Sequence, residues 1–401
     1  MSSEPLDLLY VLVDIALTLD NSPVFQSQVL DRIRVQHEAG IKVGVITTVD
    51  DPLRFAEVVE APLRHLGVMV YSFPDNGLLR NLLSARRALR VFCKNPGASH
   101  VYARGIWGSF VHRMAFPLGG PALIYDFRGD IVAETAARGA SRLRQALLRI
   151  LCRAAFSGVS TMLTVSRAST TVLASDYGCS NVVVLPSAVD ALLFQHAEAK
   201  RHEMRQALGA AKTDVLLIYA GGLSHYQMVP EMLEVWRDLS RLPNVRFVLL
   251  TSQQPMSGCH SSLDLVDRIP RLIHASVPRS EVPSYLAATD IGFLLREEHP
   301  LNAVASPVKF GEYLATGLAV VTSPGLGDVS RIVCERDLGV LVRPKDREHA
   351  VIACSGLIER VRHNRDGFRQ RALQAVREER WDWQAHMDVW RELLGRPVSG
   401  V

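Results

Sequence analysis

The stretch from Ser306 to Thr322 carries residues whose types and spacing suit the binding of an anion. Pro307 favours the first turn of a helix, where free backbone N–H groups and the helix dipole attract negative charge. Lys309 lies in that turn, where a cation is unfavourable unless a bound phosphate compensates it. Glu312 follows three residues later on the same face, and its carboxylate can accept hydrogen bonds from sugar hydroxyls. The spacing predicts a diphosphate and sugar site, although a surface Lys–Glu pair would show the same spacing.

A glycine pair directly after an apolar run offers a second binding element. Gly221 and Gly222 allow the backbone to approach a ligand closely. Neutral hydrogen-bonding groups follow at Ser224, His225 and Gln227. The spacing is not G-x-G-x-x-G, so it does not indicate a dinucleotide cofactor.

Charged residues also stand at the ends of two earlier apolar runs. Asp126 is placed to orient a substrate hydroxyl or to act as a base. Arg128 is placed to hold a phosphate or to pair with Asp130, and Arg104 is a weaker phosphate candidate. A structural Asp–Arg pair is the alternative interpretation of this pattern.

These residues need a scaffold, which the alternation of apolar runs and helical periodicities indicates. Short runs rich in Val, Ile and Leu are typical of parallel strands buried on both faces. Seven runs precede a polar stretch at about 195–213 and six follow it. The predicted strands are Leu8–Ile15, Val43–Thr47, Val68–Phe73, His100–Ala103, Ala122–Tyr125, Thr161–Val165, Val182–Leu185, Val215–Tyr219, Arg246–Leu250, Leu272–Ala275, Ile291–Leu295, Ala319–Thr322 and Gly339–Val342.

The alternation predicts an α/β protein with two Rossmann-like, doubly wound parallel-sheet domains facing each other across a cleft. We expect the domains to span residues 1–195 and 196–375. Residues 376–401 contain a tryptophan-bearing helix that we expect to cross back to the first domain.

Composition excludes several classes of protein. The 401 residues are 48% hydrophobic and 21% charged, without the Gly, Pro or charge bias of fibrous or disordered chains. No apolar run reaches the ~18 residues of a membrane-spanning helix. Acids before the first apolar stretch do not suit a secretory signal. Six cysteines without C-x-x-C spacing disfavour a disulfide framework or structural zinc, and favour the cytoplasm.

A basic segment lies within the modest net charge of +4. Residues 80–153 hold thirteen Lys/Arg and three Asp/Glu, a net +10, whereas the rest of the chain carries −6. Helical periodicities at 78–94 and 141–156 place arginines opposite a face predicted to point inward. The predicted inward residues are Leu82, Ala85, Leu89, Phe92, Leu143, Leu147 and Leu151.

Such helices suit anionic lipid headgroups or a lipid diphosphate. A solvated outer face of the sheet is the alternative interpretation. Nucleic acid is not indicated, because the segment shows no recognition motif and no aromatic platform. We hypothesise peripheral binding of the basic segment 80–153 to an anionic membrane surface, the inner face of the cytoplasmic membrane.

Several motifs follow one another in an order that resembles a known family. Val183-Val-Leu-Pro-Ser-Ala-Val-Asp190 resembles a boundary motif written V-x-P-N-G-V-D, and Ala220-Gly-Gly-Leu223 resembles the glycine loop of a nucleotide domain. Ser306-Pro-x-Lys-x-x-Glu-Tyr-Leu-Ala-x-Gly317 completes the series. Over almost its whole length the chain resembles a GT-B glycosyltransferase of the large family-4 type.

The resemblance implies a hexosyltransferase that moves a sugar from a nucleotide-sugar donor to a glycan or lipid-linked acceptor. It implies retention of configuration, no cofactor or obligatory metal, and a role in bacterial cell-surface polysaccharide biosynthesis. The first domain would bind the acceptor and the second the donor.

Residue by residue, the resemblance implies that Lys309 and the amides of Gly221 and Gly222 hold the diphosphate. Glu312 would bind the ribose, and the backbone near Val277 would meet the base. The donor site would also include Ser306 and Gln227. Lys309, Asp126 and Arg296 are the catalytic candidates.

The chain departs from the family pattern at a few positions. Val304 stands where the first glutamate of a usual pair is expected, and Gly222 and Gln227 lie where basic residues often follow the glycine loop. Asp126 replaces a frequent histidine, and Arg296 is expected to supply some of the missing positive charge. Two alternatives stay open: a non-hydrolysing nucleotide-sugar epimerase and a non-catalytic nucleotide-sugar-binding homologue.

Overall fold

The computed structural model describes residues 4–13, 26–251 and 263–396. The chain divides into two compact units. The first unit comprises Met1–Pro186 together with Trp383–Val401, and the second comprises Ser187–Asp382.

The unit boundaries differ from the expected positions at 195 and 375. Phe194, which precedes the first expected boundary, is buried in a core of the second unit. Val376 and Trp381, which follow the second expected boundary, are buried in the same core. These apolar side chains draw both flanking segments onto the second unit.

The first unit is built on a seven-stranded parallel sheet in the order β3-β2-β1-β4-β5-β6-β7. Val, Ile and Leu dominate its central strands, which helices cover. This confirms the predicted parallel arrangement. The strands are β1 Leu6–Leu12, β2 Val43–Val49, β3 Met69–Pro74, β4 Ala98–Arg104, β5 Ala122–Phe127, β6 Thr161–Thr164 and β7 Val182–Val184. The end of the strand predicted at Leu8–Ile15 lies outside the described residues.

The second unit repeats the plan with a six-stranded parallel sheet in the order β10-β9-β8-β11-β12-β13. In each sheet the chain starts in the middle, moves to one edge and then returns to build the other half. Open sheets of this kind bind ligands at the carboxyl ends of strands beside that switch point. The strands are β8 Val215–Ala220, β9 Val245–Leu250, β10 Leu272–Ala275, β11 Ile291–Leu294, β12 Ala319–Thr322 and β13 Gly339–Leu341.

Helices connect the strands, and several begin at side-chain caps. Ser141 and Ser166 each accept a hydrogen bond from a backbone N–H of the first helical turn. The α-helices of the first unit are Asp31–Glu38, Pro52–Phe55, Ala61–His65, Leu78–Phe92, Ile106–Ala115, Ile131–Ala137, Arg142–Phe156, Arg167–Tyr177 and Trp383–Leu393. Those of the second unit are Ala191–His196, Arg201–Ala207, Val229–Leu239, Val282–Ala288, Pro300–Ala303, Val308–Thr316, Gly327–Glu335 and Arg347–Glu378.

The last helix, Trp383–Leu393, belongs to the first unit, as the predicted fold class requires. Its inner face buries Trp383, His386 and Trp390, and it packs on the helix Asp31–Glu38. The chain therefore leaves the first unit after Pro186 and comes back to it at the end.

The predicted inward face of the helix Arg142–Phe156 is wrong. Leu143, Leu147 and Leu151 are exposed, and the buried residues are Cys152, Ala155 and Phe156. Small side chains at Cys152 and Ala155 let the helix approach its neighbours closely, which turns the leucines outward. The prediction for the helix Leu78–Phe92 is confirmed, since Ala85 and Leu89 are fully buried and Leu82 and Phe92 are partly buried.

Among the described residues, no helix combines the length and the apolar character needed to cross a membrane. Five of the six cysteines lie in this part of the chain, and all five are free thiols. Cys259 lies outside the described residues.

Candidate active site

The helix Val308–Thr316 starts directly after Pro307, whose backbone is extended, and ends at Gly317 in the left-handed region. Pro307 therefore precedes the first helical turn instead of lying within it. Phe310 and Leu314 are fully buried and fix the inner face of the helix against the sheet.

The Tyr313 hydroxyl ties this helix to two neighbouring strands. It donates to the Phe293 carbonyl of β11 at 3.1 Å and accepts from the Ala220 N–H of β8 at 3.3 Å. Because β8 and β11 flank the switch point, these bonds place the start of the helix beside the expected ligand position.

Lys309 points from this helix into a cluster of polar groups at and after the carboxyl end of β8. Its Nζ donates to Gln227 Oε1 at 2.6 Å and to the Tyr219 hydroxyl at 3.1 Å, and lies 4.2 Å from the Tyr219 ring centroid. Burial lowers the pKa of Lys309 well below its ordinary value, and the charge of Arg296 lowers it further, while Glu312 opposes the shift. The ammonium is thus held by neutral acceptors in a site that disfavours its charge.

The glycine loop lies directly against the Lys309 ammonium. A Cβ atom added at Gly221 would come within 2.0 Å of Lys309 Nζ, and Gly221 has a φ of +150°. The Tyr219 hydroxyl also donates to the Gly222 carbonyl. A larger residue here would force the end of the Lys309 side chain to move, so Gly221, Gln227 and Lys309 meet in space as one cluster.

Arg296 follows β11 and brings a second cation to the same region. Its backbone N–H donates to Ser323 Oγ at 2.9 Å, and its guanidinium lies 5.1 Å from the Tyr226 ring centroid. Burial lowers the pKa of Arg296. Among residues 4–13, 26–251 and 263–396, no carboxylate oxygen lies within 4.0 Å of the Lys309 or Arg296 charge.

A pocket of about 230 Å³ opens beside Arg296, at the carboxyl ends of β11, β12 and β13. In its wall, Arg343 pairs with Glu298 at 2.5 Å, and Lys345 lies 3.8 Å from Glu297. The sequence interpretation missed Ser323, Arg343 and Lys345, although each directly or closely follows an apolar run. Asp126 was chosen because it follows a predicted strand directly. The same criterion, applied to the strand Ala319–Thr322, would have identified Ser323.

The remaining predicted donor residues are Glu312, Ser306 and Val277, and they take different roles in the fold. Glu312 is partly buried one turn after Lys309, and its charge favours the ammonium. Ser306 Oγ accepts from the Ser187 backbone N–H at 2.9 Å and so anchors the start of the second unit. Val277 follows β10 and packs partly on the apolar core.

In the first unit, Asp126 lies in a buried cluster of charges at the end of β5. Arg128 Nε donates to its two oxygens at 2.9 and 2.7 Å, and the Tyr102 hydroxyl donates to one of them. Arg32 Nη1 lies 3.5 Å from Asp126 Oδ2. This arrangement matches the structural Asp–Arg pair that the sequence left open, extended by two partners.

The sequence interpretation missed Arg32, which is almost completely buried among aromatic rings. Its guanidinium lies 5.1 Å from the Trp383 ring centroid and 5.3 Å from that of Tyr102. No local pattern distinguishes Arg32 from a surface arginine on an amphipathic helix. Arg104, the weaker phosphate candidate, stands in register with Asp126 on the neighbouring strand, but its Nη2 donates to Gln28 Oε1 at 2.7 Å.

The topology of the two doubly wound parallel sheets is that of the GT-B fold, which confirms the predicted pair of Rossmann-like domains.

Comparisons with known proteins agree with that fold. Residues 26–191 match the model of Glycosyltransferase Family 4, which confirms the predicted resemblance. A comparison with curated protein sequences gives no match.

Solved structures share the fold over nearly the whole chain. The Anabaena protein Alr3699/HepE, in complex with UDP and glucose, has a TM-score of 0.70 at 16% identity, covering 97% of this chain and 99% of that one. Sucrose-phosphate synthase from Thermosynechococcus elongatus has a TM-score of 0.65 at 14% identity, covering 98% and 100%. WaaG, a glycosyltransferase involved in lipopolysaccharide biosynthesis, has a TM-score of 0.59 at 15% identity, covering 92% and 94%.

Proposed function

We propose that the protein is a glycosyltransferase that moves a sugar from a nucleotide-sugar donor to a glycan or lipid-linked acceptor. The observation that carries this proposal is the pair Lys309 and Arg296. Both cations are desolvated, Arg296 lowers the pKa of Lys309, and no described carboxylate lies within 4.0 Å of either. Two such charges are unfavourable together until an anion compensates them, and a diphosphate supplies that charge.

The same two residues account for catalysis in this proposal. When the bond from the anomeric carbon to the phosphate oxygen breaks, its electron pair stays on that oxygen, and the leaving nucleotide diphosphate gains negative charge. The acceptor hydroxyl oxygen forms the new bond to the anomeric carbon, and its proton passes to the leaving diphosphate. Fixed cations and backbone N–H groups aimed at that oxygen lower the barrier. Lys309 and Arg296 are the cations, and Gly221 and Gly222 let the backbone approach the diphosphate.

Glu312 would accept hydrogen bonds from the donor ribose, and the backbone near Val277 would contact the base. The Alr3699/HepE structures with UDP and glucose and with UDP-glucose support a uridine diphosphate sugar as the first donor to test. The E. coli trehalose-6-phosphate protein bound with UDP-2-fluoro glucose supports the same choice.

The finer parts of the proposal are retention of configuration, transfer of a hexose without an obligatory metal or cofactor, and a role in bacterial cell-surface polysaccharide biosynthesis at the cytoplasmic membrane. The match to Glycosyltransferase Family 4 supports the reaction type. The likeness to WaaG, which is involved in lipopolysaccharide biosynthesis, supports the cell-surface role.

The proposal is tested by measuring nucleotide binding with calorimetry and thermal unfolding. UDP, GDP and ADP are compared, and the preferred one at 100 times its dissociation constant should stabilise the fold by ~2.7 kcal/mol. Lys309→Ala should weaken that binding, whereas the exposed Lys212→Ala is the matched control. No binding of any nucleoside diphosphate would contradict the proposal.

Turnover separates the proposal from its alternatives. Incubation of the donor alone should leave its sugar unchanged, because an epimer formed without acceptor would indicate an epimerase. Binding of the nucleotide without transfer to any acceptor would favour the non-catalytic homologue that Val304 leaves open.

A further inference from the structure

Three helices of the first unit form one outer layer beside the sheet, here called the outer face. They are Leu78–Phe92, Ile106–Ala115 and Arg142–Phe156, and each contacts the next. Arginines join them at the helix ends: Arg90 Nε donates to the Ala115 carbonyl at 3.0 Å, and Arg113 donates to the Ala154 carbonyl. The three helices therefore present their outward sides together.

The outward side of Arg142–Phe156 is apolar. Leu143, Leu147, Ile150 and Leu151 are 72%, 54%, 62% and 40% exposed. Their spacing places them on one stripe along the helix. An exposed stripe of this kind on a helix that already buries another side is unfavourable in water, since each leucine or isoleucine would gain from burial.

The apolar character continues across the other two helices. Leu79 and Leu83 are exposed on the first helix, and Met114 and Leu118 are exposed at and beyond the end of the second. Eleven of the seventeen exposed large hydrophobic residues among the described residues lie between 78 and 151. The four in the second unit are Leu192, Leu193, Tyr226 and Ile352.

The charge around these apolar residues has one sign. Of the thirteen Lys/Arg in 80–153, only Arg128 lies within 4.0 Å of a described carboxylate. Two of the three acids in this segment, Asp126 and Asp130, are buried. Arg142, Arg144 and Arg153 are exposed on both sides of the leucine stripe.

We infer that the outer face docks on an anionic phospholipid bilayer. Leu143, Leu147 and Ile150 enter the boundary between headgroups and acyl chains, and Arg142 and Arg144 contact the headgroup phosphates. Exposed apolar side chains flanked by unpaired basic residues have this complementarity to a membrane. A nucleic acid would leave the leucine stripe in water, so charge alone does not account for the surface.

The inference is tested with the full chain and phospholipid vesicles in a flotation assay. Binding to phosphatidylcholine vesicles that contain phosphatidylglycerol should exceed binding to pure phosphatidylcholine, and should fall as salt is raised. The variant Leu143→Ser, Leu147→Ser, Ile150→Ser should lower the partition coefficient at least about tenfold. Arg142→Gln with Arg144→Gln should lower it by about fivefold for each arginine.

Two controls keep the test specific. Ile352→Ser removes a comparably exposed side chain from the second unit, at 64% exposure, and should leave partitioning unchanged. Leu147→Trp should show quenching of its fluorescence by brominated acyl chains. Thermal unfolding should be the same for all variants, since these side chains are exposed.

The inference is overturned if the triple serine variant partitions like the unchanged chain, or if neutral and anionic vesicles bind equally. Binding to duplex DNA without binding to vesicles would also overturn it, in favour of a nucleic-acid partner. None of the substituted residues belongs to the Lys309 cluster. Failure of this test therefore leaves nucleotide binding unaffected, and failure of the nucleotide test leaves the membrane result unaffected.

Discussion

The basic segment 80–153 of the first unit and the second unit differ in how their positive charges are paired. Within the described part of the second unit, fourteen arginines lie within 4.0 Å of a carboxylate, as Arg347 does with Glu234 at 2.7 Å and Asp238 at 2.5 Å. In the basic segment 80–153 of the first unit, only Arg128 is paired in this way among the described residues. The basic segment thus leaves most of its positive charge without a described carboxylate partner, whereas the second unit pairs its arginines, as does the rest of the first unit at Arg64 with Glu60, 2.6 Å.

This difference makes the exceptions informative. Among the described residues, no carboxylate oxygen lies within 4.0 Å of the Lys309 or Arg296 charge, although arginines of this unit are regularly paired, and both cations are desolvated. Asp126 is the exception in the basic segment, because this buried acid forms ion pairs with Arg128 and Arg32. We therefore expect substitutions at Lys309 to change ligand binding and substitutions at Asp126 to change stability.

The largest expected effect follows removal of the Asp126 carboxylate. Asp126→Ala leaves Arg32 buried without its acid, which should cost about 3–5 kcal/mol of the free energy of unfolding of the first unit. Hydrogen exchange in peptides from β4 and β5, measured against denaturant, reports this loss. Asp126→Asn keeps hydrogen-bond acceptors and should cost less. If Asp126→Ala lost turnover with unchanged exchange, the role of Asp126 as a base would be favoured instead.

Lys309→Ala should lower turnover by about 10²–10³-fold, because the cation acts on charge that develops as the bond breaks. The Michaelis constant for the donor should change less than the turnover. Steady-state assays of Lys309→Ala beside Lys212→Ala separate this effect from a general loss of charge on the second unit. Turnover equal to that of the unchanged enzyme would contradict the assigned role.

Gly221→Ala should strain the backbone at residue 221 and shift the ammonium of Lys309. The unusual backbone angle should cost about 1–3 kcal/mol, and the new Cβ must displace the Lys309 side chain. Calorimetry should therefore show weaker nucleotide binding. Gly209→Ala is the matched control, since Gly209 has a φ of +62° and only an ordinary 3.8 Å contact with Arg246. Equal nucleotide affinity of the two variants would contradict a role in nucleotide binding for the close approach of Gly221 to Lys309.

The sequence predicted those features that depend on local pattern and on the rules of parallel sheets. The thirteen strands in the described part of the chain were predictable because buried parallel strands are short apolar runs. Gly221 and Lys309 could be expected to meet, since the loop after β8 and the helix after β11 share one edge of the sheet. The hydrogen bond from Lys309 to the Tyr219 hydroxyl was not predicted, because an apolar strand pattern does not show which hydroxyl reaches a ligand site.

Features that depend on distant packing escaped prediction. Arg32 and Trp383 stand in contact although 351 positions separate them, and neither has a local signal of that contact. The helix Arg142–Phe156 shows the limit of periodicity as well. Its sequence defines two faces, but the close packing of Cys152 and Ala155, which no periodicity reveals, decides which face turns inward.

The smallest expected effect is the pH dependence of nucleotide binding, which would sharpen the contrast between Lys309 and an ordinary surface lysine. Burial and Arg296 lower the pKa of Lys309 in the free protein, and a bound diphosphate favours the charged form and so raises that pKa. Below the lowered pKa the ammonium is charged in both states, and affinity is highest. As pH rises between the two pKa values, binding takes up a proton and affinity falls by at most about tenfold per pH unit.

Calorimetry in buffers with different ionisation enthalpies measures this proton uptake directly. Lys309→Arg is the decisive variant, because a guanidinium stays protonated through this range. Its affinity for the nucleotide should depend less on pH than that of the unchanged protein, whatever its absolute value. If the two pH profiles had the same slope, a group other than Lys309 would control the dependence, and the diphosphate would not contact this ammonium.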